Sequence, residues 1–278
     1  ALDPSPRAIT MAAPGAMFGA AHVVVRVAGA RCASRYDQRS FGACVGSVLS
    51  RGYLSSARSS PPTWPNYSLY LVTDDAYLDD KFLAKIEAGL EGGVTAVQLR
   101  LKHVSTAEYV RWGEEVRRLT RIAGVPLIVD DRLDVALAVD ADGLHVGGDD
   151  LPWRAARRLL GPDRILGCST YGRADLVREA LSPEVRADNL GSGAIFGSPT
   201  KQSSVPKGVE HLGPLRKVVL EEAAGRSVPI IAIGGVGLES AAACIRSGAD
   251  GIAAVSALLQ HEDAEGTKRA AQAMRAAI

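Results

Sequence analysis

Charge of one sign is what this sequence lacks first. Its 278 residues hold 32 Lys and Arg against 31 Asp and Glu, a formal net charge of +1. No field of the whole molecule therefore draws it to nucleic acid or to a membrane surface, and any pull on anions has to come from a local site. Cysteines are few: Cys32, Cys44, Cys168 and Cys244. None has the spacing of a metal site and a disulfide framework is not expected, which suits a reducing compartment such as the cytoplasm. No apolar run approaches the roughly 20 residues that span a bilayer. The first apolar strand is not followed by a Gly-rich dinucleotide loop, which counts against an open doubly wound sheet.

Acids are also scarce in one stretch. Residues 1–65 contain seven Arg, no Lys, and only Asp3 and Asp37 as acids. Ala, Gly and Ser dominate, periodicity is weak, and Ser59-Ser60-Pro61-Pro62-Thr63-Trp64-Pro65 closes the stretch like a linker. The expectation is a disordered, low-complexity extension. An Arg-rich, acid-poor N-terminus also resembles a transit peptide, which would place the protein in a plastid or mitochondrion.

What is present begins near Leu69. Hydrophobic residues make up 47% of the chain, enough for a real core. Short apolar runs alternate with segments of helical spacing: Leu69–Thr73, Val94–Arg100, Pro126–Val129, Gly143–Val146, Ile165–Cys168, Asn189–Phe196, Pro229–Ile233 and Asp250–Val255 are the expected strands. Nearly continuous apolar strands alternating with helices indicate a parallel sheet buried on both faces. Eight evenly spaced units predict one closed (βα)8 TIM barrel, class α/β, over residues 66–278.

Such barrels build their sites at the C-terminal ends of the strands. The second strand ends in Gln98, Arg100 and Lys102, which alternation puts on one face. The third ends in Asp130 and Asp131, Asp149 and Asp150 follow the fourth, and Ser169 and Thr170 close the fifth. Gly197-Ser-Pro-Thr-Lys201 follows the sixth, Gly234-Gly235 the seventh and Val255-Ser256 the eighth. Arg100, Lys102 and Lys201 suit a polyanion such as a diphosphate. Asp131 and Asp150 are hard oxygen ligands of the kind Mg2+ takes alongside phosphate oxygens. The glycine pair and Val255-Ser256 suit a monophosphate bound by backbone N–H groups. Taken singly, an acid pair is more often a cap, a Gly-Gly a turn, and His145 a packed histidine. Ser169 has no evident histidine relay in the sequence and is a poor candidate nucleophile. Cys168 reads as a small buried residue.

At these residues the chain resembles the thiamin phosphate synthase family. The likeness runs in collinear order through Leu69-Tyr-Leu-Val-Thr-Asp74, Val97-Gln-Leu-Arg-Leu-Lys102, Asp131-Arg-Leu-Asp-Val-Ala-Leu-Ala138, Ala141-Asp-Gly-Leu-His145, Ser198-Pro-Thr-Lys201, Ala232-Ile-Gly-Gly235 and Gly248-Ala-Asp-Gly251. It implies that an aminopyrimidine methyl diphosphate is coupled to a thiazole phosphate, giving thiamin monophosphate and pyrophosphate by a dissociative, Mg2+-assisted substitution. It further implies that the stretch Gln98, Leu99, Arg100, Leu101 and Lys102, with Asp130, binds the pyrimidine diphosphate, and that Asp131 and Asp150 bind Mg2+. Ser169 and Lys201 would contact the pyrimidine substrate. Ser198, Pro199 and Thr200 would line the thiazole pocket, with Gly235, Val255 and Ser256 on its phosphate. Arg100, Lys102, Ser169 and Lys201 are the expected catalytic set.

Three positions depart from the family pattern. Asp130 stands where Asn is usual, and an added carboxylate would repel a diphosphate unless protonated or metal-bound. Leu101 stands where Glu is usual and by alternation faces away from the mouth. Gly148 stands where Gln is usual, which would loosen the loop that carries Asp150. Two competing readings are a thiazole tautomerase on the same barrel, which would need a histidine after the fifth strand, and a non-catalytic phosphate-binding barrel. The expected partners are small molecules, with neither nucleic acid nor membrane, and with a homo-oligomer open.

Overall fold

A computed structural model describes residues 65–197 and 205–278. Eight parallel strands close into a barrel in sequence order: β1 Leu69–Val72, β2 Ala96–Leu99, β3 Leu127–Asp130, β4 Gly143–Val146, β5 Ile165–Ser169, β6 Asn189–Ser192, β7 Ile230–Ile233 and β8 Gly251–Ala254. The helices between and after them are α1 Phe82–Glu91, α2 Thr106–Ala123, α3 Leu133–Ala138, α4 Trp153–Leu160, α5 Ala174–Leu181, α6 Leu212–Glu222, α7 Leu238–Arg246, α8 Ser256–Leu259 and α9 Ala264–Ala276. The expected closed barrel is the one observed. No helix among the described residues is long and apolar enough to cross a membrane.

Alternation along the strands divides the interior in two. Outward residues such as Leu71, Val97, Leu99, Val129, Leu144 and Leu166 pack under the helices in the main core. Inward residues form a smaller core in the lumen around Tyr67, Tyr70, Ile128 and Ile231. Each such aliphatic side chain contributes roughly 1.5–3 kcal/mol by leaving water. Local signals fix the helix ends. Ser105 and Glu108 form a capping box at the start of α2, and Gly124 ends that helix in the left-handed region at φ +67.

The N-terminal rim of the barrel is held by a repeated device. At or next to the start of each odd strand, one backbone N–H is satisfied by a side chain from the neighbouring strand's entry. Leu69 N–H donates to Thr95 Oγ1 at 3.1 Å, Leu127 N–H to Asp142 at 2.9 Å, Leu166 N–H to Asp188 at 2.8 Å and Ile230 N–H to Asp250 at 2.6 Å. The three acids are in turn ion-paired to Arg117, Arg157 and Arg216 on α2, α4 and α6. This end of the molecule serves stability, which leaves the opposite end for chemistry.

Two details differ from the sequence-based expectation. β6 ends at Ser192 rather than near Phe196, although Ile195 and Phe196 still donate to Ile233 O and Gly234 O at 2.9 and 2.8 Å. The backbone there approaches β7 too closely for a regular strand: a Cβ on Gly193 would lie 2.8 Å from Ile233 Cγ2. The four-residue helix α8 after β8 was also unforeseen, because Ser256–Leu259 is too short to show a period.

Candidate active site

The barrel mouth at the strand C-termini encloses a cavity of about 390 Å³. Gln98, Arg100 and Lys102 all line it, as their alternation requires. Leu99 and Leu101, counted with the diphosphate-binding stretch, do not line it. Both are buried in the main core under the helices, so their side chains cannot meet a substrate in the mouth.

Two residues after β1 organise the end of β2, beside which they lie because Val72 pairs with Gln98. Asp74 forms an ion pair with the Arg100 guanidinium. Asp75 accepts from the backbone N–H groups of Lys102 and His103 at 2.8 and 3.1 Å. Sequence reasoning missed both acids. The signal lay in the parallel pairing of the first two strands, which brings together residues 26 or more positions apart.

Asp130 is nearly buried and lies 3.3 Å from Lys102 Nζ and 3.6 Å from Arg100 Nε. The extra carboxylate is therefore a partner of the two cations at the end of β2. Asp131 also pairs with Lys102. Its backbone is left-handed, at φ +57, and its N–H donates to His145 O at 2.8 Å. A non-glycine residue in that region is held there by its surroundings. At the end of the neighbouring strand β4, a Cβ on Gly147 would sit 2.7 Å from Asp150 Oδ2, so this carboxylate lies over the glycine. The same loop is tied by Gly148 N–H, which donates to the Tyr171 hydroxyl at 3.0 Å.

The wall of the cavity now has a charge balance. Asp130, Asp131, Asp149 and Asp150 face it against only Arg100 and Lys102 among the described residues. An anion would meet a net excess of negative charge there, and a divalent cation between the acids would cancel it. No cluster of three or more His, Cys, Asp or Glu suited to a metal occurs among the described residues. Mg2+ needs none, since it commonly takes one or two carboxylates and fills its shell with substrate phosphate and water. The donor set fits Mg2+ on that basis.

The opposite wall is built of backbone. Gly234 and Gly235 have φ of +95 and +66, a conformation open to glycine at little cost. A Cβ on Gly235 would strike Gly197 O and lie 2.8 Å from Phe196 Cβ. Val255 and Ser256 line the cavity beside them, where α8 begins. Ser198, Pro199, Thr200 and Lys201 lie outside the described residues.

At the floor, Ser169 has the histidine partner that sequence reading did not give it: Ser169 Oγ lies 2.9 Å from His145 Nε2. Burial depresses the imidazole pKa, opposed by the charges of Asp130 and Asp150. The neutral form is thereby favoured. Cys168 points outward into the core, and burial pushes its thiol far up, so it is no nucleophile.

These features define a class: a (βα)8 barrel whose mouth sets an acid-and-cation wall against a glycine-backed wall. Residues 69–258 match the family model described as thiamine monophosphate synthase. Thiamine-phosphate synthase of Chloroflexus aurantiacus is 44% identical over 211 residues, covering 75% of this chain and 93% of that protein. Its counterpart in Syntrophomonas wolfei is 42% identical over 206 residues, covering 73% and 94%. Among solved structures, thiamine phosphate pyrophosphorylase from Pyrococcus furiosus superimposes with a TM-score of 0.64 at 35% identity, over 77% of this chain and 96% of that one. Tryptophan synthase of Mycobacterium tuberculosis, at 16% identity and a TM-score of 0.56, shares the fold alone. The chain belongs to the thiamine monophosphate synthase family.

Proposed function

We propose that the chain is a transferase of thiamine biosynthesis, joining an aminopyrimidine methyl diphosphate to a thiazole phosphate with release of pyrophosphate. The observation that carries this reading is the asymmetry of the mouth. One wall carries cations and paired acids for a diphosphate with Mg2+, and the facing wall carries glycine backbone for a monophosphate. Two differently built anion sites in one cavity suit a reaction with two phosphorylated substrates.

In this reading Asp131 and Asp150 hold Mg2+, which when bound neutralises charge on the leaving diphosphate. Arg100, oriented by Asp74, and Lys102 bind the same group, and Lys201 belongs with them by resemblance. Gln98 and Ser169 position the pyrimidine. Gly235, Val255 and Ser256 take the thiazole phosphate, and Ser198, Pro199 and Thr200 are assigned to the thiazole itself. The chain's work is to neutralise and position, so that the carbon–oxygen bond to the diphosphate breaks before the thiazole nitrogen attacks. No general base is required. A neutral His145 behind Ser169 is consistent with that. The catalytic unit is taken as residues 66–278, acting on small molecules in the cytoplasm.

The test is steady-state pyrophosphate release by the full chain. Release should require both substrates and Mg2+. Binding of both without release would instead favour a phosphate-binding barrel without turnover.

A further inference from the structure

The glycine-backed wall is supported from behind by the chain that leaves β6. On one side of that chain, Ile195 and Phe196 N–H donate to Ile233 O and Gly234 O at 2.9 and 2.8 Å. On its other side the chain returns towards α6. Lys207 N–H donates to Ala194 O and Gly208 N–H to Ile195 O, both at 3.0 Å. The approach to the glycines is close: a Cβ on Gly234 would lie 2.8 Å from Ala194 Cα, and one on Gly235 would strike Gly197 O. Packing this tight passes a displacement on rather than absorbing it. The position of residues 194–197 therefore sets where Gly234 and Gly235 present their backbone to the cavity they line.

His211 ties both ends of this support. It is half-buried and immediately precedes α6. Its Nδ1 lies 2.7 Å from Gly208 O, and its Nε2 lies 2.8 Å from Ser192 Oγ. Ser192 is the buried last residue of β6. The carbonyl of Gly208 only accepts, so Nδ1 carries a proton. The Ser192 hydroxyl can donate or accept, so Nε2 is satisfied with the ring neutral or charged. The ring is seated against the loop after β5, where a Cβ on Gly172 would lie 2.8 Å from His211 Cδ2 and 2.9 Å from Lys207 Cδ. His211 is not among the residues that line the cavity.

We propose that His211 is a positioning residue for the glycine-backed wall and so sets its affinity for the thiazole phosphate. This rests on the coupling reaction proposed above, with the thiazole phosphate at Gly235, Val255 and Ser256. The influence runs through backbone. The imidazole holds Ser192 and Gly208, these hold residues 194–196 from both ends, and that segment holds Ile233 and Gly234. The cations of the facing wall, Arg100 and Lys102, are paired instead with Asp74, Asp130 and Asp131. The effect should therefore be confined to one substrate.

His211→Leu tests this on the full chain with Mg2+. Leucine fills much of the space against Gly172 and makes neither hydrogen bond. KM for the thiazole phosphate should rise by about 10-fold, while KM for the pyrimidine diphosphate stays within about 2-fold. A KM does not depend on how much of the protein is folded, so this split survives partial misfolding. Ser192→Ala should raise the same KM by about 3-fold. Because Ser192 acts through His211, the double variant should be no worse than His211→Leu alone. Calorimetry of thiazole phosphate binding, with Mg2+ and pyrophosphate filling the facing wall, should show the same 10-fold weakening in His211→Leu. A merely structural histidine would lower kcat and leave both KM values unchanged, and that result would overturn the proposal. Equal rises in both KM values, or single effects that multiply in the double variant, would overturn it too. If the unaltered chain binds the thiazole phosphate and couples nothing, the coupling reaction fails, and the calorimetry still decides: binding unchanged in His211→Leu would remove His211 from the wall.

Discussion

Replacing Asp130 with Asn should make this protein bind its diphosphate substrate more tightly. The carboxylate lies 3.3 Å from Lys102 Nζ and 3.6 Å from Arg100 Nε. A phosphate oxygen hydrogen-bonded to those nitrogens would stand about 3 Å beyond them, and so about 6 Å from Asp130. Two unit charges at that separation repel by roughly 3 kcal/mol at an effective dielectric of about 20. Lys102 is about a third exposed and Arg100 a fifth, so solvent and salt reduce the net effect to about 1–2 kcal/mol. Against this, the carboxylate restrains both cations, and losing that restraint costs about half a kcal/mol on the same scale. Repulsion wins. The net gain of about 0.5–1.5 kcal/mol predicts a kcat/KM for the pyrimidine diphosphate higher by about 2–12-fold, with inhibition by pyrophosphate strengthened in the same proportion. Steady-state kinetics at fixed Mg2+ decides it. A fall in kcat/KM with the thermal melt unchanged would refute the reasoning, because it would mean that the site needs the carboxylate itself.

Four further outcomes follow from the same geometry. Asp131→Ala should abolish Mg2+-dependent turnover while circular dichroism shows the barrel intact; undiminished activity would remove Asp131 from the metal site. Gly235→Ala forces a side chain into the left-handed region and against Gly197 O, so KM for the thiazole phosphate should rise by about 10-fold or more while KM for the pyrimidine diphosphate stays within about 2-fold; equal effects on both would contradict two separate anion sites. Asp188→Ala leaves the Leu166 N–H and the nearly buried Arg157 without their shared partner, at about 2–3 kcal/mol after allowance for partial exposure, which lowers Tm by about 5–10 °C; an unchanged melt would show that the N-terminal rim is not held as described. His145 has a pKa depressed below its ordinary 6.5 by burial. Below that pH the unfolded chain binds the proton more readily than the folded one. The stability it contributes is thus present above 6.5 and declines as pH falls towards the folded value. Denaturant melts should show this slope, and His145→Phe should remove it.

The barrel was legible because its strands are short apolar runs with turn signals between them, and alternation then sorted Gln98, Arg100 and Lys102 from their neighbours. The same alternation excluded Leu99 and Leu101 from the mouth, although a matching stretch of sequence grouped all five. What stayed hidden depends on register between strands. Asp74 and Asp75 carry no functional reading in the sequence until Val72 is set against Gln98. Ser169 lacked a histidine in its own loop, and its partner comes from β4, at a sequence separation of 24. Asp130 was read as a source of repulsion towards the substrate. Its position between two cations makes it also their restraint, a balance that charge counting along the sequence does not reveal.

The central claim is that the mouth works by neutralising a leaving diphosphate, so that this bond breaks before the new one forms. Positional isotope exchange measures that directly. Pyrimidine diphosphate carrying heavy oxygen in the bridging position is held on the full chain with Mg2+ and no thiazole phosphate, and recovered substrate is examined for label that has moved to the non-bridging oxygens. Migration of the label at a rate comparable with coupling is the predicted result. Label that stays in the bridge, under conditions where adding the thiazole phosphate gives rapid coupling, would contradict it.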